Sequence, residues 1–129
     1  MIAGVGTDIV AVERLGRFYE RHAQRALDKL LAPSERDEFA KVKESVKDSA
    51  RFLAKRFAAK EAFGKALGIG VVAPATLANV AVAHDAAGKP FFEYAPPLAA
   101  YLAERGLSAH LSISDEREFA VAFVILEHA

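Results

Sequence analysis

Two carboxylates in apolar surroundings, Asp8 and Glu61, and a lysine close behind the second, Lys65, are the side chains best suited to chemistry. Glu61 and Lys65 stand four apart in the stretch 51–68, which lacks proline and is rich in Ala, Leu, Lys and Arg. It reads as a helix of about four to five turns, ended by Gly68 and Gly70, so the two charges are neighbours. At about 100° per residue, Phe52, Leu53, Phe57, Phe63 and Leu67 share one broad side, and Arg56 and Lys60 point into it. The opposite side carries Ala54, Ala58 and Ala62 with Glu61 and Lys65. An unpaired buried charge is expensive. Either Arg56 and Lys60 snorkel past the core and Glu61–Lys65 is a surface pair, or this helix binds an anion and presents a carboxylate to a metal.

Asp8 follows a short strand-like run, residues 1–5, broken by Gly4 and Gly6, and Ile9 and Val10 resume the apolar pattern. If buried it needs a partner, and both a helix N-cap and a metal ligand fit its position. A helix is expected over 12–26, with Val12, Leu15, Tyr19 and Ala26 buried. Arg14, Arg17, Arg21 and Arg25 form one longitudinal stripe on it, either a solvated face or a docking surface for an acidic partner. His22, His84, His110 and His128 lack metal-ligand spacing, although His110 shares a strand face with Ser112 and Ser114. Gly64-Lys65-Ala66 lacks the rest of a phosphate-binding loop, and Gly4-Val5-Gly6 the rest of a dinucleotide fingerprint.

The remaining elements must position these groups. Pro33 and Ser34, with Asp37 completing a capping-box-like start, open a second helix to about residue 46, expected to face solvent and to carry no chemistry. Strands at 77–84 and 91–94 flank a turn at 85–90. Pro96 and Pro97 start a short helix, about 98–105, and strands at 109–114 and 119–127 flank the loop 115–118. The order gives an α+β fold: a single domain, 1–129, with an antiparallel-dominated sheet packed on the long central helix. An apolar fraction of 53% and a charged fraction of 26% suit a globular chain of 129 residues, large enough for a core and small enough to gain from a partner subunit. Net charge is zero, so no global field draws the chain to nucleic acid or an anionic membrane. The chain has no cysteine, no apolar run of ~20 residues and no basic-then-apolar leader, and a cytoplasmic location is the expectation.

Four motifs carry a resemblance. The run 4–10 with Arg14 resembles the opening motif of holo-acyl-carrier-protein synthases. The run 56–62 followed by Lys65 and Ala66 resembles the second signature of the 4′-phosphopantetheinyl transferases. Gly88-Lys89-Pro90 and the run 110–114 resemble the third and fourth, in order and spacing, over essentially the whole chain at the size of the short bacterial type that serves fatty acid synthesis. The resemblance implies transfer of the phosphopantetheine arm of coenzyme A to a serine of an apo acyl carrier protein, releasing adenosine 3′,5′-bisphosphate. It implies Asp8 and Glu61 as magnesium ligands and Lys65 as the stabiliser of charge on the leaving phosphate. It also implies Glu61, directly or through a metal-bound water, as acceptor of the serine proton. Arg56 and His110 match positions that grip the adenosine end and its 3′-phosphate. Arg14 and Arg21, with Arg17 and Arg25, would dock the acidic carrier, and the family works as homotrimers with sites between neighbours. One departure is Ala81, where many relatives carry a glutamate, so a water would replace any ligand from there. Two rivals are a non-catalytic module binding coenzyme A or a carrier, which has no need of Asp8 with Glu61, and a small nucleic-acid-binding domain, which the zero net charge disfavours.

Overall fold

The computed structural model describes residues 1–129. Strand β1 (Ile2–Ala11) runs without a loop into α1 (Val12–His22), followed by α2 (Gln24–Leu30), α3 (Pro33–Phe39) and the long α4 (Val46–Leu67). A 3-10 turn at Leu77–Asn79 leads to the hairpin β2 (Val80–His84) and β3 (Pro90–Tyr94). Then come α5 (Pro96–Glu104), β4 (Leu107–Asp115) and β5 (Phe119–His128). The strands form two antiparallel sheets rather than one: a three-stranded sheet in the order β1-β5-β4, and the β2-β3 pair. The α+β expectation holds, with α4 as the element on which both pack. No helix is long and apolar enough to cross a membrane.

Glycine and alanine decide how closely sheet and helix meet. Alternation along β1 turns Gly4, Gly6, Asp8 and Val10 to one face. A methyl group at Gly6 would stand 1.9 Å from the Ala62 carbonyl oxygen, and one at Gly4 2.0 Å from that of Ala66. The backbone of β1 therefore lies directly on α4. Ala58, Ala59, Ala62 and Ala66 are buried beneath the sheet, against Ala120, Ala122, Val124 and Leu126 of β5. This corrects the sequence expectation for the helix. Its alanine side is not the polar side but the closest-packed one, and the helix is enclosed on nearly every side. Leu53, Phe63 and Phe39 fill the other flank, with Phe63 edge-on to Phe92 at 5.1 Å.

Other boundaries also differ. The helix expected over 12–26 breaks at Ala23, whose φ of 47° ends one rod and starts another. The helix after Pro33 stops at Phe39 rather than near residue 46. Its start is secured not by Ser34 and Asp37 but by Glu35, whose carboxylate accepts the Ala32 N–H at 2.9 Å. Glu35 is fully buried, so this helix is not simply solvent-facing. Ser45 caps α4 by accepting the Asp48 N–H at 3.1 Å, so the long helix begins before the expected residue 51. Gly68 ends it in the left-handed conformation, φ 82°, as expected from glycine.

The backbone contact is testable. Gly6→Ala should lower stability by about 3 kcal/mol, because only a backbone shift makes room. Gly16→Ala, whose methyl would meet just the Ala50 methyl at 3.1 Å, should cost clearly less. Equal melting temperatures for the two variants would contradict the contact.

Candidate active site

The close approach of β1 and α4 carries Asp8 to the helix face bearing Glu61 and Lys65. Lys65 Nζ donates to Asp8 Oδ1 at 3.1 Å and to the Thr7 carbonyl oxygen at 2.9 Å, linking strand and helix beside the carboxylates. Asp8 is no helix cap: Ala11 occupies the N-cap position of α1, without a side-chain cap. The Glu61 carboxyl is pushed above its ordinary value, first by partial burial and then by the Asp8 charge, with Lys65 and Arg14 pulling it back. Asp8 and Glu61 are thus close enough to repel each other. No group of three or more His, Cys, Asp or Glu side chains assembles into a metal site. Two hard carboxylates whose repulsion a divalent cation would relieve nonetheless fit magnesium, which takes few protein oxygens and completes its shell with water and phosphate.

Glu61 opens into a cleft of about 640 Å³ between α1, α2 and α4. Arg14, Arg17, Arg21 and Lys29 supply its cations, and Leu15, Phe18, Leu30, Phe57 and Leu77 much of its apolar wall. Arg14 lies 5.4 Å from the Phe57 ring centroid, and Arg17 pairs with Glu13 one turn back. Arg25 is exposed on α2, beyond the break at Ala23, and does not line the cleft. The expected stripe of four is therefore a group of three on one rod, with the fourth on the next.

Arg56 and His110 are not brought to this cleft, and no hydrogen bond or ion pair joins either to Asp8, Glu61 or Lys65. The Arg56 guanidinium is buried 3.6 Å above the Phe52 ring and 3.6 Å from Glu35 Oε2. It borders a smaller hollow of about 280 Å³ with Ser34, Glu38, His84 and Glu93. Burial lowers its pKa against the pull of Glu35. His110 lies on β4 and pairs with Glu127 at 3.0 Å, which holds the Glu127 carboxyl below its ordinary value. Gly88 and Lys89 form the turn between β2 and β3, where Asp85 Oδ1 accepts the Ala87 and Lys89 N–H groups at 2.9 Å. Ala81 is buried in β2 opposite Glu93.

Sequence reasoning missed Glu35 as a partner for the charges on α4. The signal was half visible, since Lys60 fell in the apolar sector of its helix. It does not snorkel: its ammonium is fully enclosed, and burial pushes it down to about 8 against the pull of Glu35. Lys29, Phe57 and Leu77 as cleft walls had no local signal, because three distant segments meet there.

Comparison with known proteins identifies the family. Residues 4–124 match the family model of the 4′-phosphopantetheinyl transferase superfamily. The chain is 61% identical over 129 residues to the holo-[acyl-carrier-protein] synthase of Dechloromonas aromatica, covering 100% of both chains. It superposes on the crystal structure of the Neisseria meningitidis holo-[acyl-carrier-protein] synthase with a TM-score of 0.92 at 43% identity, over 98% of this chain and 99% of that one. The Bacillus anthracis synthase, solved in complex with CoA (3′,5′-ADP), matches with a TM-score of 0.84 at 32% identity, over 100% of this chain and 99% of that one. By motif order, fold and identity over its whole length, the chain belongs to the 4′-phosphopantetheinyl transferase superfamily.

Proposed function

We propose that this chain transfers the 4′-phosphopantetheine group of coenzyme A to a serine hydroxyl of an apo acyl carrier protein, releasing adenosine 3′,5′-bisphosphate. The observation that carries the reading is the grouping of Asp8 and Lys65 with Glu61, which lines an arginine-rimmed cleft. A non-catalytic coenzyme A or carrier-binding module has no use for two facing carboxylates. In the transfer, a serine O–P bond forms as the P–O bond to the departing nucleotide breaks. Glu61 takes the serine proton, a task helped by its raised pKa. Lys65, exposed beside Asp8, meets the charge that grows on the leaving phosphate. Asp8 and Glu61 would hold magnesium, which when bound supplies Lewis-acid neutralisation of the diphosphate.

Arg14, Arg17 and Arg21 form the proposed dock for the acidic carrier, with Arg25 at its margin. The same proposal includes a cytoplasmic location and a homotrimer. The outer face of the β1-β5-β4 sheet supports an assembly, because Val5, Ile9, Phe119 and Phe123 lie exposed on it, facing away from α4. Contacts to the adenosine end from Arg56 and His110 would then involve a neighbouring subunit, since neither lines the Glu61 cleft of its own chain.

Intact-mass spectrometry of an apo carrier incubated with this protein, coenzyme A and magnesium should show the phosphopantetheine gain, abolished by a chelator. No gain with folded protein and two different apo carriers would remove the transferase reading and favour the binding module. Glu61→Gln and Asp8→Asn should each cut kcat/KM by about 100-fold or more while keeping the melting temperature close to that of the parent.

Arg14→Glu and Arg21→Glu should raise the carrier KM by roughly tenfold, less so at high salt, with Arg25→Glu weaker. Carrier KM values indifferent to charge reversal would discard the docking surface. Light scattering should give a trimer for the parent and a monomer without turnover for Phe123→Glu. An active parent monomer would overturn the assembly.

A further inference from the structure

Lys60 stands next to Glu61 in sequence but about 100° away around the helix, and its surroundings define its task. Its ammonium donates to the Glu35 carboxylate, to the Leu30 carbonyl oxygen at 2.7 Å and to the Leu77 carbonyl oxygen at 2.8 Å. Three donors meet three acceptors, and the side chain has no exposed surface. Lys60 therefore has no N–H left for a substrate. Glu35 is equally occupied: Oε1 also accepts the Ala32 N–H, and Oε2 accepts the Val82 N–H, each at 2.9 Å. One ion pair thus joins the end of α2, the start of α3, the middle of α4, the turn at Leu77 and strand β2.

Two of those anchor points matter for the cleft. Leu30 and Leu77, whose carbonyl groups Lys60 holds, are also wall residues of the cleft into which Glu61 opens. Neither wall segment is held there by regular pairing with the other. Leu30 is the last residue of α2, and Leu77 begins a three-residue 3-10 turn. We infer that Lys60 and Glu35 are positioning residues, whose buried ion pair sets the spacing of the Leu30 and Leu77 wall relative to Glu61 and so shapes the cleft for the carrier protein. A buried pair can often be exchanged for apolar residues without loss of stability, whereas removing one partner strands a charge. Stability and positioning are therefore separable by experiment.

The inference rests on the transferase reading for its kinetic readout. Lys60→Met alone should melt far below the parent. The double variant Glu35→Leu/Lys60→Met removes both charges of the pair and should recover part of that loss, limited by Arg56, which loses the carboxylate 3.6 Å away, and by the two carbonyl groups left unheld. Its carrier KM should rise about tenfold, with kcat within about twofold of the parent. Should the double variant fail to fold, Glu35→Asp decides, because it keeps the charge and withdraws the carboxylate; the same selective rise in carrier KM is expected. Folded variants with the parent's carrier KM, or with kcat lowered and KM unchanged, would overturn the inference. A parent that modifies no carrier would instead fail the transferase reading. Methyl NMR of Leu30 and Leu77 then tests the wall by itself: displaced resonances for both leucines in the folded variants support the positioning role, and unmoved ones refute it.

Discussion

The structure depends on a single close contact, the laying of a strand backbone onto a helix backbone. Gly4 and Gly6 of β1 sit over Ala66 and Ala62 of α4 with no room for a methyl group between them. Each glycine forgoes side-chain burial and adds chain entropy to the unfolded state. The return is proximity: two residues past Gly6, Asp8 reaches Glu61 and Lys65 without a long loop. Rigid elements on both sides hold the two carboxylates near each other, and burial first and the Asp8 charge second push the Glu61 carboxyl above its ordinary value. Preorganisation of this kind is what a charge-neutralising site requires, since nothing has to rearrange as charge develops.

The same helix handles charge in opposite ways on two sides. Toward β1 and α1 it presents Glu61 to a cleft and leaves Lys65 exposed beside Asp8, so charge remains accessible. Toward α3 and β2 it buries Lys60 and Arg56 around one carboxylate, Glu35. A residue-by-residue helical wheel mixes these roles, because adjacent positions in the signature face different surroundings. The protein separates them by supplying a buried acid from a short helix early in the chain.

This division explains what was legible in the sequence. Helix ends were readable where the signal is local, as at Gly68, where the left-handed backbone suits glycine, and at Pro96, which opens α5. The carboxylate pair and its lysine stood out because charges interrupt apolar runs. The alanine face was misread because amphipathicity weighs size and polarity, whereas closeness of approach favours small residues. Glu35 was invisible as a partner because the lysine it neutralises comes 25 positions later. The break at Ala23 carries neither glycine nor proline, so nothing in the sequence announced it. Arg56 and His110 could be matched to motifs, but only the fold separates them from Glu61.

The junction between β1 and α1 has a consequence for how recognition and chemistry are coupled. Ala11 ends the strand and Val12 begins the helix, with the Val12 N–H bonded to the Glu118 carbonyl oxygen at 2.8 Å. Asp8 and the three arginines of α1 therefore belong to one stiff piece of chain without slack between them. The rotational phase of the basic rim is locked to the carboxylate, and the rim cannot swivel to meet differently shaped visitors. Any breadth in what the proposed dock accepts would have to come from the long arginine side chains or from the visitor. The break at Ala23 gives Arg25 a different standing: it rides on a separate rod and can drift in evolution without disturbing the alignment of the other three.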